Sequence, residues 1–134
     1  MPEEGVAWQP REEILSFEEI ERLARFFVER GVRKIRLTGG EPTLRKGYIG
    51  LVESLAAIPG LNQLAMTTNG TRLAQDAVAL KSAGLASVNV SLDTLRQDRF
   101  FEITRRNELP RVLQGIETAH AAGLETKINV VVLP

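Results

Sequence analysis

Three short polar segments hold the side chains that could handle a ligand or a proton: Thr38-Gly39-Gly40-Glu41-Pro42, Thr67-Thr68-Asn69-Gly70 and Ser91-Leu92-Asp93-Thr94. Glu41 and Asp93 are carboxylates able to act on a proton or bind an amine. As isolated acids they serve equally well as caps at a helix start. The glycines let backbone come close to a ligand and take dihedrals that other residues avoid, although Asn69-Gly70 is equally an ordinary turn. Residue types alone therefore point to a polar ligand at these segments without fixing what it is. Other chemistry is excluded: the chain has no cysteine, so disulfides, thiolate zinc sites and cysteine nucleophiles are ruled out within it. A Ser-His-Asp triad is formally open through His120, the single histidine. At helical spacing with Val112, Leu113 and Ile116, however, His120 reads as a helix-face residue packed near the core. Arg105-Arg106 could contact a phosphate but reads first as a solvated loop. Arg45-Lys46, near a helix start, is ambiguous in the same way, and Trp8 reads as a packing residue.

The elements that must position these segments alternate between helix and strand. Ser16 and Glu19 form a capping box, followed by Ile20, Leu23, Ala24, Phe27 and Val28 at helical spacing. Gly31 closes that helix. Lys34 to Thr38 reads as a strand. Tyr48, Leu51, Val52, Leu55 and Ala56 mark a second helix stopped by Pro59-Gly60. A strand over Gln63 to Thr68, a helix over Leu73 to Ala83 and a strand over Ser87 to Leu92 follow. After an irregular charged stretch come a helix over Val112 to Ala122 and a strand over Lys127 to Leu133. The joints Gly31-Val32, Gly84-Leu85 and Gly123-Leu124 share one form, as repeated β/α units with a parallel sheet would require. In such folds, sites collect at the C-terminal ends of the strands, where the three polar segments fall.

Alternation along the strands then sorts the faces. Ile35, Leu37, Leu64, Met66, Val88, Val90, Leu92, Ile128, Val130 and Val132 share the face that belongs under the helices. Arg36, Thr38, Ala65, Thr67, Asn89, Ser91, Asp93, Lys127 and Asn129 share the other. A doubly wound sheet is apolar on both faces, and a closed eight-stranded barrel fills its interior with branched apolar groups. A face this polar favours a wider or open barrel around a large polar ligand, with Arg36 and Lys127 supplying charge suited to phosphate.

Hydrophobic content is ordinary for a soluble globular protein. The 134 residues balance seventeen basic against seventeen acidic side chains, which argues against a nucleic-acid or membrane-surface binder. No apolar run approaches the ~20 residues of a membrane span. The N-terminus has no signal-peptide pattern, so the cytoplasm is the expected location.

The run Lys34-Ile35-Arg36-Leu37-Thr38-Gly39-Gly40-Glu41-Pro42-Thr43-Leu44-Arg45 resembles the Gly-Gly-Glu segment of radical-SAM enzymes. More narrowly, it is similar to the GTP 3′,8-cyclases of molybdenum cofactor biosynthesis. The resemblance continues through Thr67-Thr68-Asn69-Gly70, Val88 to Leu95, Ile103-Thr104-Arg105-Arg106 and Lys127 to Val131. It also takes in Met1 to Val6 and Leu15 to Ile20. It implies an α/β fold, a partial (β/α) radical-SAM barrel with helices outside, occupying residues 1–134 as one domain truncated at both ends. The implied reaction is radical cyclisation of GTP to (8S)-3′,8-cyclo-7,8-dihydroguanosine 5′-triphosphate. Gly40 and Ser91 would meet S-adenosylmethionine, and Arg36, Thr67 and Lys127 would meet GTP. Gly39, Glu41, Asn69 and Asp93 are possible additions. The product would pass to a cyclic pyranopterin monophosphate synthase, and the family pattern allows dimerisation.

The resemblance also implies cofactors this chain cannot ligate. The family holds a [4Fe-4S] cluster on three cysteines that directly precede the Met-Pro-Glu-Glu-Gly stretch. It binds a second cluster through three further cysteines downstream. With none present, the chain is expected to be inactive alone, to represent part of a longer gene and, with open sheet edges, to be poorly soluble. The competing readings are a non-catalytic nucleotide-binding barrel, a peptide-modifying radical-SAM enzyme and a cluster-free phosphate-binding barrel. Arg36, Lys127 and the Ile103 to Arg106 segment argue against the peptide-modifying enzyme. The cluster-free barrel would need a base and nucleophile that are not found.

Overall fold

A computed structural model describes residues 14–132; the Met1 to Val6 segment, Trp8 and Leu133 lie outside that range. The first helix, α1 (Phe17–Glu29), opens with the expected capping box. The Ser16 hydroxyl accepts from the Glu19 N–H at 3.1 Å, and the Glu19 carboxylate accepts from the Ser16 N–H at 2.7 Å. Ser16→Ala is expected to cost about 1 kcal/mol, the usual loss for such a cap. Urea denaturation checks this as a lowered midpoint at unchanged m-value.

The remaining elements are β1 (Lys34–Leu37), a 3₁₀ turn (Pro42–Leu44), α2 (Tyr48–Ala56), β2 (Gln63–Thr68), α3 (Leu73–Ala83), β3 (Ser87–Ser91), α4 (Gln97–Thr104), α5 (Leu109–Ala121) and β4 (Glu125–Asn129). The strands form one parallel sheet in the order β1-β2-β3-β4. A doubly wound sheet reverses its order at a switch point. A sheet that grows one neighbour at a time in a single direction is the barrel-type winding, so the partial (β/α) barrel is the fold. Among the described residues no helix is long and apolar enough to cross a membrane.

The three glycine joints are built alike. Val32, Leu85 and Leu124 each donate a backbone N–H to the carbonyl five residues back, on Phe27, Leu80 and Ala119. The intervening Gly31, Gly84 and Gly123 have positive φ. This is the Schellman closure, in which glycine takes the left-handed position and the next apolar residue turns back to the helix.

One core lies between the helices and one face of the sheet. Leu64, Met66, Val88 and Val90 pack there with Val52, Leu55, Leu73, Ala77, Leu80, Val112 and Ala119. Tyr48 joins it, donating its hydroxyl to Asp76 Oδ2 at 2.5 Å. Burial, and then the bond to Asp76, push its phenol upward in pKa, so it stays a donor. Arg45 also serves the fold. It donates to the Leu15 carbonyl at 2.6 Å, with its guanidinium over the Phe17 ring.

The structure corrects four expectations. The charged stretch after β3 contains α4, an eight-residue helix that buries only Phe100 and carries an exposed Arg99–Glu102 pair. Helix α5 starts at Leu109 rather than Val112, because Pro110 sits in the first turn, where its missing N–H costs nothing. The last strand is Glu125–Asn129, not Lys127 to Leu133. Its partner β3 ends at Ser91, opposite Asn129, and Val130, Val131 and Val132 are exposed beyond the ladder. His120 is exposed in the last turn of α5 rather than packed near the core.

Candidate functional site

The sheet face away from the helices is set by register. Arg36 pairs with Ala65, Ala65 with Ser87 and Ser87 with Glu125, forming one row. Thr67, Asn89 and Lys127 form the next, and Ser91 with Asn129 the third. Partners in a parallel ladder share a face, and residues two apart along a strand return to it. With strands about 4.8 Å apart and about 6.6 Å between such residues, the three rows cover about 14 by 13 Å, the scale of a nucleotide. All five residues expected to meet ligands lie on this face or just beyond it: Arg36, Thr67, Ser91 and Lys127 in the rows, and Gly40 past the end of β1.

Two polar atoms on the face have no hydrogen-bond partner although buried: Arg36 Nη1 and Asn89 Oδ1. Such a group costs about 1–3 kcal/mol unless something satisfies it. Native structures leave few, so each calls for an explanation, and a ligand or ordered water is one that suits an open polar face. Lys127 is exposed, with Nζ 3.4 Å from Glu125 Oε1. An exposed pair of this kind is worth about 0–1 kcal/mol, so Glu125 holds the Lys127 ammonium only weakly. Within the three rows, Arg36 and Lys127 stand against the single carboxylate of Glu125.

At the strand ends the side chains are tied to one another. Glu41 Oε1 accepts from the Thr43 hydroxyl at 2.6 Å, the Thr43 N–H at 3.3 Å and the Thr68 hydroxyl at 2.6 Å. Its Oε2 accepts from the Asn69 N–H at 2.6 Å. Glu41 thus caps the 3₁₀ turn and clamps the end of β1 to the end of β2. Asp93, just past the end of β3, ties to the segment that follows β4, accepting from the Val131 N–H at 2.8 Å. The Asn69 side-chain oxygen accepts from the N–H and hydroxyl of Thr71, holding the turn into α3. Gly70 has a packing reason for being glycine. A side chain there would meet Val90 Cγ1 at 2.9 Å, with φ at +81°.

Gly39 and Gly40 differ. Around either one, the space a Cβ would fill is open, with no atom within 4 Å, and Gly39 has φ +142°. Bare backbone at the end of β1 is free for a ligand to approach, which fits the methionine part of S-adenosylmethionine at Gly40, with the exposed Ser91 hydroxyl two strands away. The [4Fe-4S] cluster does not fit these residues. The sequence has no cysteine, and the described residues hold no group of three or more His, Cys, Asp or Glu side chains placed to bind a metal. Arg106 faces Glu108 at 3.8 Å.

Sequence reasoning passes over two residues. Asn89 falls on the polar face by alternation but receives no role from it; its mid-row position between Thr67 and Lys127 is the available signal. Glu125 escapes because the strand expected from the sequence starts two residues late.

A family model described as the Radical SAM superfamily matches residues 3–134. GTP 3′,8-cyclase 1 of Pseudomonas aeruginosa is 54% identical over 131 residues, 97% of this chain and 40% of that protein. GTP 3′,8-cyclase of Alkaliphilus metalliredigens is 47% identical over 134 residues, 99% of this chain and 42% of that protein. Molybdenum cofactor biosynthesis protein 1 of Drosophila melanogaster is 51% identical over 133 residues, 99% of this chain and 24% of that protein. The chain therefore spans 40–42% of the length of the two bacterial relatives.

Proposed function

We propose, from the premise that the chain belongs to the radical SAM superfamily, that it forms the GTP-holding part of a GTP 3′,8-cyclase in molybdenum cofactor biosynthesis. The observation that carries this is the single polar face. Arg36, Thr67 and Lys127 stand in adjacent rows there, with the open Gly39-Gly40 backbone beside them. Arg36 and Lys127 hold phosphate oxygens, Arg36 through its unmet Nη1 donor. The Thr67 hydroxyl fixes the nucleotide between them. Gly40 and Ser91 seat S-adenosylmethionine, which supplies the radical chemistry when bound. Glu41, Asn69 and Asp93 act by holding the strand ends, and Gly39 by giving the backbone its turn. The product would pass to a cyclic pyranopterin monophosphate synthase.

These 134 residues bring no thiolate to hold a cluster, so alone they do not carry out the reaction. Complementation tests both statements. The full-length protein restores molybdopterin synthesis to a bacterium lacking its own GTP 3′,8-cyclase, whereas residues 1–134 alone do not. Failure of the full-length protein would refute the cyclase assignment. Arg36→Ala in the full-length protein is expected to weaken GTP binding about tenfold to a hundredfold, the range for one charge-assisted bond. Titration calorimetry reads the change, and unchanged affinity would remove Arg36 from the site. The absence of cysteine favours one other reading, a nucleotide-binding barrel without catalysis. Iron-independent GTP binding by a full-length protein that fails to complement would identify it.

A further inference from the structure

We propose that Asn89 reads the nucleoside half of the bound nucleotide, a role that rests on the GTP site above and extends it. Asn89 lies in mid-row, with Thr67 on one side and Lys127 on the other. Its neighbours in sequence, Val88 and Val90, are fully buried on the helix side, so alternation turns Asn89 toward the ligand face. Its Oδ1 is buried and lacks a hydrogen-bond partner. A carboxamide oxygen only accepts, so the group that satisfies it must be an N–H or O–H donor. Ionised phosphate offers none and would repel it. The cations Arg36 and Lys127 therefore take the phosphates, while Asn89 takes a neutral donor from the purine edge or the ribose.

The structure gives Asn89 no stabilising role at this oxygen. A valine of similar size, well suited to a strand, would remove the unmet acceptor. Titration calorimetry of the full-length protein with GTP, inosine triphosphate, 2′-deoxyGTP and S-adenosylmethionine tests the idea, alongside thermal melts without ligand. Asn89→Val is expected to weaken GTP binding about tenfold, the worth of one good hydrogen bond. It should leave S-adenosylmethionine affinity unchanged and the ligand-free melting temperature unchanged or raised. The analogue whose disadvantage disappears in the variant names the donor: inosine triphosphate for the 2-amino group, 2′-deoxyGTP for the 2′-hydroxyl. Undiminished GTP affinity overturns the inference while leaving the GTP site standing. Loss of S-adenosylmethionine affinity instead assigns Asn89 to the other ligand and also overturns it. A lowered ligand-free melting temperature with both ligands weakened marks a structural residue and overturns it as well. A wild-type protein that binds no GTP overturns the site itself, and the role of Asn89 with it.

Discussion

Glu41→Ala is expected to destabilise the protein by about 3 kcal/mol, because one half-buried carboxylate satisfies four donors and hydrogen bonds to charged groups are worth about 1.5–3 kcal/mol each before water replaces some of them. The donors come from both sides of a strand gap: Thr43 on the 3₁₀ turn, and Thr68 and Asn69 at the end of β2. Thr43 and Thr68 are 3% and 2% exposed, so water cannot readily take the place of the carboxylate there. The Thr68 hydroxyl also accepts from the Gly70 N–H, so the loss spreads into the turn. Glu41→Gln should fall between, since its amide keeps one acceptor and turns a donor toward another donor. Chemical denaturation of the wild type and both variants gives the order. If both variants stayed within about 0.5 kcal/mol of wild type, as neutral surface changes do, Glu41 would not be the clamp described. With S-adenosylmethionine seated at Gly40 as proposed, Glu41→Ala should also weaken its binding, since Glu41 follows Gly40 directly.

Gly115→Ala gives the second large effect, and its sign separates two arguments. In an exposed helix interior the change would stabilise by about 1 kcal/mol. Here α5 crosses α3 so closely that the new Cβ would stand 2.8 Å from the Gly70 carbonyl oxygen and 2.9 Å from Leu73 Cβ. Overpacking of this kind costs about 1–3 kcal/mol, and with two contacts under 3 Å the upper part of that range applies, so a net loss of about 1–2 kcal/mol is expected after helix propensity is set against it. Thermal and urea unfolding measure it. A stabilised variant would mean the two helices separate freely.

These two residues also show which parts of the molecule can be read from the sequence. The polar face is legible because parity survives parallel pairing: one rule applied to four strands places Arg36, Thr67, Asn89, Ser91 and Lys127 together, and the register agrees. The glycine joints are legible because their hydrogen bonds close within six residues. Glu41 and Asp93 are recognisable as carboxylates, but their partners Thr68, Asn69 and Val131 lie far along the chain, and spacing does not reach them. The α3–α5 contact through Gly70 and Gly115 is hidden for the same reason. Helix α4 escapes because its apolar face is nearly a single residue, and the end of β4 because only its neighbour's length decides it. The ligand assignments of Gly40 and Ser91 come from family resemblance; spacing alone points to a polar ligand and no more.

The single-direction order of the strands bears on how the polypeptide acquires its shape while it is being made. Each strand pairs with the one before it, and roughly 20 to 40 residues separate paired positions, so the closure entropy differs between successive units by only about 0.5 kcal/mol. No later strand has to insert between two earlier ones. A chain leaving the ribosome can dock β2 on β1 once α2 has emerged, then add β3 and β4 in turn, as N-terminal parts fold first during synthesis. Synonymous codon changes that slow translation should therefore be tolerated best where Gly31, Gly84 or Gly123 has just left the ribosomal exit tunnel, so that one unit is closed and the next has yet to pair.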